Sequence, residues 1–487
     1  MQDSRNPKRP LPGHRSTLED HRAPPRKSHG FLGWIALNCL CLNAIVYVTC
    51  EWIRRKSWLP NWLIDSNFYE LGRFFEFKQG HDSWMPMLTA FHYWRTHPGN
   101  SIYEGVFFSQ RIKFQYPLTS LLPLILLDKL GLSDAQISRV FGAIGWVSVA
   151  VVAALCVVIA IRSAAPLDSS TVRFDFATVA AIVLGSISFY PLLKGCVIGQ
   201  IQTELTLAYT AAFYYRLRGK ERISGVLIGL MILVKPQYVL LLVWALLRKR
   251  WSEALTGLAS IAIVLPLAII LFGWHTNLDY LNVVRQLGRT GESFFQNHSM
   301  NGLLNRLLVN GGDQMFHQDS FPPFNAVVYL GTLVSSIMLI GLAFVFPVGR
   351  ALRGGMADFA CMTTVATIAS PIAWQHHYGV LLPILVWLWF GRTSGRAPVR
   401  RLAWLVSAYI LIADCFSPLN LSYHVPALNI IQSHIYFGGL IVVWLLLSPR
   451  YSAPSQSQII LDTPDFHLPI PQSFSHELES ISACPVI

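Results

Sequence analysis

A polar, aromatic-rich stretch at residues 80–117 comes after the first membrane-length apolar segment of an otherwise mostly apolar chain. A carboxylate in such a loop can accept a proton from a hydroxyl group and so act as a general base. Composition alone does not choose among the candidates. Between residues 65 and 115 the carboxylates are Asp65, Glu70, Glu76, Asp82 and Glu104.

Lys235-Pro236-Gln237 stands at the centre of the apolar stretch 223–247. Because proline removes a backbone donor and breaks helices, two half-helices are predicted to meet at this point. A lysine at the tip of broken helices can bind a phosphate, and a low-dielectric setting strengthens that interaction. The alternative is a lysine that snorkels to the membrane surface.

Ser370 to Tyr378 places two adjacent histidines, His376 and His377, between two apolar runs. Adjacent residues lie about 100° apart on a helix, so this pair would not chelate one metal ion from one face. No carboxylate is nearby in sequence, and we therefore predict no metal site. One histidine is expected to donate a hydrogen bond to a phosphate or a sugar, and a packed interfacial cluster is the alternative.

Two further polar stretches lie between apolar runs, where polar groups suggest either function or pairing within a helix bundle. Lys194-Gly195 with Gly199 to Glu204 is predicted to be a capped helix-turn-helix joint or a substrate-facing turn. Asn297 to Arg306 supplies amides and an arginine that could hold an acceptor or cap a surface helix.

The elements that position these groups are predicted to be membrane helices. Of the 487 residues, 53% are apolar and 13% charged, whereas about a quarter of the residues in soluble globular proteins are charged. A spanning helix needs about 20 mostly apolar residues, which predicts about twelve spans. They lie near 31–50, 116–131, 138–161, 176–194, 200–216, 223–247, 254–273, 324–347, 357–374, 378–391, 402–417 and 430–447.

Lysine and arginine distribution predicts the orientation of these spans, because short basic loops face the cytoplasm. Such loops lie at 216–222, 248–250, 350–353 and 392–401. The opposite side then carries the loops 51–115, 274–322 and 418–429. Two half-helices at 223–247 agree with this rule, since that stretch has basic flanks at both ends. Between 116 and 200 the number of predicted membrane crossings differs by one from the number that this orientation requires. One segment there is therefore expected to cross only half of the membrane.

The remaining composition narrows the possible partners. The net charge is +12, but no basic face or known nucleic-acid module accompanies it, and no nucleic-acid partner is expected. The eight cysteines show no CxxC pairing and are interpreted as small buried hydrophobes. Residues 1–30 are polar, Pro-rich and basic, and are predicted to be a disordered cytoplasmic terminus. The tail 448–487 is predicted to be disordered as well.

Taken together, the motifs resemble those of the polytopic glycosyltransferases of family 87, which have the GT-C fold and use polyprenol-phosphate mannose. The first-loop resemblance rests on His81-Asp82, Tyr93-Trp94, Gly99 to Tyr103 and Phe114-Gln115-Tyr116-Pro117. The resemblance to the later signatures of the family, which occur in the same order, rests on Gly199-Gln200, Lys235-Pro236-Gln237, Asn297-His298-Ser299 with Arg306, and Ser370-Pro371 with Trp374 and His376-His377. The chain departs from the family pattern at Leu118, where a second proline is usual, and at Gln202, where an Asn-like residue is usual.

This resemblance implies an all-α polytopic membrane protein with a GT-C-type bundle of about twelve transmembrane helices. The catalytic domain would be 31–447, with extracytoplasmic loops at 51–115 and 274–322. The implied protein is a multi-pass plasma-membrane enzyme with an extracytoplasmic active site. The implied activity is that of an inverting, polyprenyl-phosphate-sugar-dependent hexosyltransferase. Mannose is the expected sugar, and a pentose such as arabinose is the alternative.

The resemblance also implies roles for particular residues. Asp82 would be the general base, while Lys235 and one of His376 and His377 would bind the donor phosphate. The implied substrate-binding residues are His81, Tyr116, Gln200, Gln237, Asn297, Arg306 and Trp374. The expected partners are a polyprenyl-phosphate sugar, a lipid or glycan acceptor and membrane lipids, with no cofactor and no metal.

Two other classes of protein remain as alternatives at this point. Broken helices and charges at membrane depth are also features of transporters, so a transporter or flippase of lipid-linked sugars is one. A non-catalytic assembly subunit is the other. The large aromatic first loop with its carboxylate, together with the lack of detectable inverted-repeat symmetry, favours the transferase.

Overall fold

The computed structural model describes residues 41, 43–53, 55, 65–164, 174–312, 316–317, 319–346, 353–391 and 399–448. The predicted disordered segment 1–30 and all but the first residue of the predicted disordered tail 448–487 lie outside these residues, as does the first half of the predicted span 31–50.

Regular structure in the described residues is helical, apart from one isolated bridge between Asn297 and Trp374. A helical stretch at 43–53 comes first. The helices that follow are α1 (Asn67–Phe75), α2 (Trp84–Thr96), α3 (Leu122–Lys129), α4 (Asp134–Ala164), α5 (Phe176–Ile187), α6 (Tyr190–Ile198), α7 (Gln202–Leu217), α8 (Glu221–Val234), α9 (Val239–Leu247), α10 (Trp251–Phe272), α11 (Trp274–Thr290), α12 (Met300–Leu307), α13 (Ala326–Val345), α14 (Met356–Ile368), α15 (Leu381–Phe390), α16 (Val399–Ala413) and α17 (His434–Leu447). A π-helix (Tyr103–Ser109) and 3-10 helices at Leu118–Leu121, Pro236–Tyr238, Gln375–Val380, Ser417–His424 and Pro426–Ser433 connect them.

Local chemistry sets several of these boundaries. The side chains of Ser66, Asp175 and Ser299 accept hydrogen bonds from first-turn N–H groups at the starts of α1, α5 and α12. These bonds satisfy donors that the helix itself leaves free. A glycine ends helix α6. The φ of Gly199 is 73°, which lies in the left-handed region that favours glycine.

Fewer helices than predicted are long enough to cross a membrane. Within the described residues four pass by length and composition: α4, α10, α13 and the stretch Pro426–Leu447. Helices α5 and α6 form one further candidate, bent by 51°. The prediction of about twelve spans is therefore not confirmed. The predicted spans 357–374 and 378–391 correspond to the 13-residue α14 and, after a 3-10 turn, the 10-residue α15, and each is shorter than the roughly 20 residues that a spanning helix needs.

The predicted break at Lys235-Pro236 is present. Helix α8 ends at Val234, a 3-10 turn follows over Pro236–Tyr238, and α9 begins at Val239. A proline here has no N–H to continue the hydrogen-bond ladder of α8, and its ring would clash with the preceding turn. The stretch 223–247 is thus a pair of short helices.

Basic loops collect at the outer ends of α8 and α9. Arg250 Nη1 lies 3.2 Å from Glu221 Oε1, and Arg248 Nε lies 2.7 Å from Asp358 Oδ2. The 14 residues of α8 extend over about 21 Å at the usual helical rise. The basic end of this helix pair is therefore well separated from Lys235 at the break.

The predicted span 116–131 does not form one long helix. It folds as a 3-10 turn followed by the eight-residue α3. Such a helix is about 12 Å long, less than half of the hydrocarbon thickness of about 30 Å. This segment therefore cannot cross a bilayer as one helix.

Two clusters of buried apolar side chains organise the described residues. The larger is built from α4, α7, α9, α14, α15 and α17, and the smaller from α2, the π-helix, the 118–125 segment and parts of α10 and α11. Val234, at the end of α8, packs against both clusters. The Lys235-Pro236 break, which directly follows Val234, therefore lies at the boundary between the two clusters.

Candidate active site

A cavity of about 1010 Å³ lies at this boundary. Its wall draws on the first loop, the α6–α7 joint, the break between α8 and α9, and the segment that precedes α15. Nine of the eleven predicted site residues line it, namely His81, Asp82, Tyr116, Gln200, Lys235, Gln237, Trp374, His376 and His377. Residues far apart in sequence thus face a single space, which is large enough for a sugar and part of its carrier.

Backbone hydrogen bonds hold Asp82 against the end of α6. The N–H groups of Gly80, Asp82 and Ser83 donate to the carbonyl oxygens of residues 197–199 at 2.8, 3.0 and 3.1 Å. This close approach requires glycine, because a Cβ on Gly199 would lie 2.0 Å from the carbonyl oxygen of Gly80. The position of Asp82 is therefore set by a helix end.

Gln200 links the Asp82 carboxylate to two hydroxyl groups. Its Nε2 donates to Asp82 Oδ2. Its Oε1 accepts from Ser83 Oγ at 2.8 Å and from Tyr116 OH at 3.2 Å. The backbone N–H of Ile201 donates to Ser83 Oγ at 3.1 Å. Since both hydroxyls occupy the amide oxygen, the amide NH₂ is directed at the carboxylate.

The surroundings of Asp82 raise its pKa above the usual aspartate value. Its side chain is accessible from the cavity, but the surrounding protein replaces most of the bulk water and disfavours the charged form. The hydrogen bond from Gln200 and the positive charges of Lys194 and Lys235 act in the opposite direction. A carboxylate with a raised pKa is a stronger base once it is ionised.

Lys235 presents a cation to the cavity without an acidic partner within ion-pair distance in the described part of the chain. Its Nζ donates to Gln202 Oε1 at 2.8 Å and lies 2.5 Å from His377 Nε2. Because an ammonium group only donates, His377 Nε2 must accept, which places the proton of a neutral ring on Nδ1. Such a cation is suited to a phosphate group.

His376 lies beside this lysine and histidine pair. The rings of His376 and His377 are 4.8 Å apart and nearly perpendicular. His376 Nε2 has no hydrogen-bond partner within the described residues. A neutral imidazole can donate from this nitrogen to an oxygen atom. Trp374, His81 and Gln237 line the same cavity.

Asn297 and Arg306 do not line the cavity. Asn297 Oδ1 accepts from the Ala373 N–H at 2.9 Å, and Arg306 Nη1 donates to the Asn297 carbonyl at 3.0 Å. Both side chains are buried. Their placement therefore favours a role other than the predicted substrate contact. They hold the 297–299 segment against the segment that carries Trp374.

Comparison with known proteins identifies the family. Residues 114–371 match the pattern of Glycosyltransferase family 87. The chain belongs to this family. The matched region contains Tyr116, Gln200 and Lys235, whereas Asp82 precedes it and His376 follows it.

Curated relatives of this family 87 chain match it over about half of their own length. Two are from Mycobacterium tuberculosis. One, a polyprenol-phosphate-mannose-dependent alpha-(1-2)-phosphatidylinositol mannoside mannosyltransferase, is 26% identical over 213 residues, or 43% of this chain and 45% of the relative. The other, the corresponding pentamannoside mannosyltransferase, is 25% identical over 268 residues, or 52% and 57%. A mannoside mannosyltransferase from Mycolicibacterium smegmatis is 25% identical over 267 residues, or 52% and 56%. No solved structure matches the chain.

The wall of the family 87 cavity also includes Lys113, whose ion pair the sequence did not indicate. Lys113 Nζ lies 2.8 Å from Glu292 Oε2. It also lies 4.4 Å and 4.3 Å from the ring centres of Phe316 and Phe321, within the range of a cation–π contact. Because the pair is buried and neutral overall, it joins the first loop to the 274–322 loop without adding net charge. The only feature of the sequence that pointed to Lys113 is its position directly before the Phe114-Gln115-Tyr116-Pro117 motif.

Lys194 belongs to a second charge cluster at the cavity wall. Its Nζ lies 2.8 Å from Asp65 Oδ2 and 2.6 Å from Glu70 Oε1, and Arg73 Nη1 lies 3.3 Å from Glu70 Oε2. Two cations balance two carboxylates. The 194–204 stretch is thus a helix-turn-helix joint, and it also presents Lys194 and Gln200 to the cavity.

Replacing Gln200 by leucine is expected to shift the pH dependence of sugar transfer. The change removes a hydrogen bond that favours the ionised form of Asp82, so the pKa of Asp82 should rise. A base acts only when ionised, and activity is lost as the pH falls through its pKa. The acidic limb of kcat/KM should therefore move to higher pH, and the value at neutral pH should fall about tenfold.

The pH profile of transfer by the purified protein measures this effect. The exposed Gln110 provides a matched control, since Gln110→Leu makes the same change away from the cavity. An acidic limb that stays in place in Gln200→Leu would show that this amide does not control the ionisation of the base.

Proposed function

We propose that this chain is a membrane mannosyltransferase that moves a mannosyl residue from a polyprenyl phosphate to a hydroxyl group of a lipid or glycan acceptor, with inversion at the anomeric carbon. The observation that carries the proposal is that one cavity holds Asp82, fixed by backbone hydrogen bonds, and Lys235, which forms no ion pair with a described carboxylate. The names of the mycobacterial relatives support polyprenol-phosphate mannose as the donor.

In the proposed reaction the acceptor hydroxyl attacks the anomeric carbon from the face opposite the phosphate. Asp82 takes the hydroxyl proton as the new carbon–oxygen bond forms. The bond between the anomeric carbon and the phosphate oxygen breaks, and its electron pair stays with the polyprenyl phosphate. Because phosphate is a good leaving group, little acid assistance is needed. A single displacement of this kind inverts the configuration of the sugar.

The donor phosphate is proposed to bind at Lys235 and His376. Preorganised charges directed at developing negative charge are usually the largest contribution to catalysis. Of the two histidines, His376 is the better direct donor, because the Nε2 of His377 already contacts Lys235. His377 is then a positioning residue that orients the lysine.

The apolar part of the cavity wall is suited to an isoprenoid chain. It is formed by Val239 and Leu240 of α9, Val284 and Leu287 of α11, and Ile340 of α13. Val239 and Leu240 lie within five residues of Lys235, so an apolar surface begins next to the proposed phosphate site. A lipid-linked donor needs both features side by side.

We place the cavity on the extracytoplasmic side of the plasma membrane. The support is the distribution of charge along α8 and α9. Their basic outer ends are expected to face the cytoplasm, and the break at Lys235 lies at the opposite ends of both helices.

The direct test supplies the full-length protein, purified and reconstituted in liposomes, with radiolabelled polyprenyl-phosphate mannose and a mannosylated phosphatidylinositol acceptor. The expected product is the acceptor extended by one mannose, with inverted anomeric configuration by NMR. Donors that carry glucose or arabinose run in parallel to identify the sugar. Movement of the donor across the bilayer without any transfer would contradict the proposal and favour a flippase.

A further inference from the structure

Helix α11 carries an apolar stripe that no described residue covers. Trp274, Leu278 and Leu281 are 57%, 42% and 63% exposed. On a helix with 3.6 residues per turn these three side chains fall within an arc of about 60°. Arg285 is exposed beside them. An amphipathic helix with an aromatic and aliphatic face next to a basic residue is typical of a membrane surface.

The position of α11 in the chain supports the same conclusion. It follows α10, one of the four candidate spans, after the single residue Gly273. The outward surface of α10 stays apolar up to its end, where Ile270 is 77% exposed. A helix that begins where a span ends starts at the boundary between lipid and water, and tryptophan is enriched at that depth.

The lipid-facing stripe of α11 adjoins the cavity. Tyr280, Val284 and Leu287 line the cavity from the next arc of the same helix. Val284 is 45% exposed, and around the helix it lies between the stripe and Tyr280. Tyr280 OH donates to the Gln115 carbonyl at 3.2 Å, which attaches this helix face to the first loop. One helix therefore separates the cavity from the surface that the stripe covers.

We propose that α11 lies in the surface of the bilayer, with Trp274, Leu278 and Leu281 among the acyl chains, and that the cavity opens onto this leaflet along Val284. Lipid-linked substrate then reaches Lys235 sideways from the membrane. This second half rests on the proposed function, because it needs a substrate that is carried by a lipid. The first half does not.

The surface location is tested on the full-length protein with a fluorescent amino acid incorporated genetically at position 281 or, as the matched control, at 282. The vesicles contain phosphatidylcholine with brominated acyl chains. Quenching at 281 should exceed quenching at 282 by about threefold or more, because bromine reaches only groups within the bilayer. Equal quenching, stronger quenching of 281 by aqueous iodide, or a position 281 shielded from both quenchers by a second copy of the chain would each overturn the proposal.

Lateral access is tested with Leu281→Glu, with Asn282→Glu as the control. Neither residue lines the cavity. For a long-chain donor embedded in vesicles, Leu281→Glu should raise KM about tenfold, since a charge on the lipid face disfavours insertion of the helix. For a short-chain, water-soluble donor KM should be unchanged. Equal effects on the two donors would exclude access at α11. If the wild-type protein were inactive with every donor, the proposed function would be contradicted, and the quenching result would still test the surface location of α11.

Discussion

Asp82→Asn is expected to lower kcat for mannose transfer by about 10²–10⁴-fold, the usual contribution of a general base. Asparagine has nearly the same size as aspartate, but at neutral pH it cannot take the proton from the hydroxyl group of the acceptor substrate. The backbone hydrogen bonds of residues 80–83 to the end of α6 do not involve the side chain, so the loop should keep its position. Single-turnover transfer from polyprenyl-phosphate mannose measures the effect.

The matched control is Glu104→Gln, which makes the same chemical change at an exposed carboxylate outside the cavity lining. It should transfer mannose at nearly the wild-type rate. Thermal unfolding in detergent should be alike for both variants. If Asp82→Asn retained near wild-type turnover, the base would have to be sought elsewhere in the chain.

Lys235→Met should lower kcat/KM for the donor by about 10²–10³-fold, the effect of removing one stabilising group from a developing anion. The methionine side chain keeps most of the lysine volume but loses the charge that faces the cavity. KM for the acceptor should change little, because the proposed contact is with the donor phosphate. Initial rates with each substrate varied in turn separate the two effects.

Two further variants refine this prediction. Lys220→Met removes an exposed positive charge from the basic end of α8 and should leave donor use unchanged. Lys235→Arg keeps the charge and should recover part of the lost activity. Inhibition by free polyprenyl phosphate, the proposed leaving group, should weaken in Lys235→Met. A loss confined to acceptor affinity would place the lysine in another part of the reaction.

Sequence patterns predicted the break at Lys235-Pro236 because proline acts locally, within its own turn of helix. The predicted number of spans is not confirmed, because α14 and α15 are apolar but too short to cross a bilayer as single helices. Both helices lie inside the larger core cluster, where protein surrounds them as lipid would. A hydropathy window measures apolar character and not what surrounds a helix.

The candidate site was predictable in part. Physical reasoning proposed Lys235 for a phosphate, but it left the five carboxylates between residues 65 and 115 equivalent, and only the family resemblance selected Asp82. The Lys113–Glu292 pair joins residues 179 positions apart, and no local pattern in the sequence indicates such a contact. Arg306 was assigned to substrate by the family resemblance, and a sequence does not show that its side chain is buried.

The three hydrogen bonds that join residues 80–83 to the end of α6 separate two tasks within one loop. The backbone at Asp82 is hydrogen-bonded to the end of α6. Residues 84–115 contain α2 and the π-helix, which pack in the smaller apolar cluster. Met85, Pro86 and Ile112 of this segment line the cavity, so changes there can reshape the cavity wall without displacing the carboxylate. Exchange of residues 84–112 between family members offers a route to altered substrate specificity on an unchanged reaction centre.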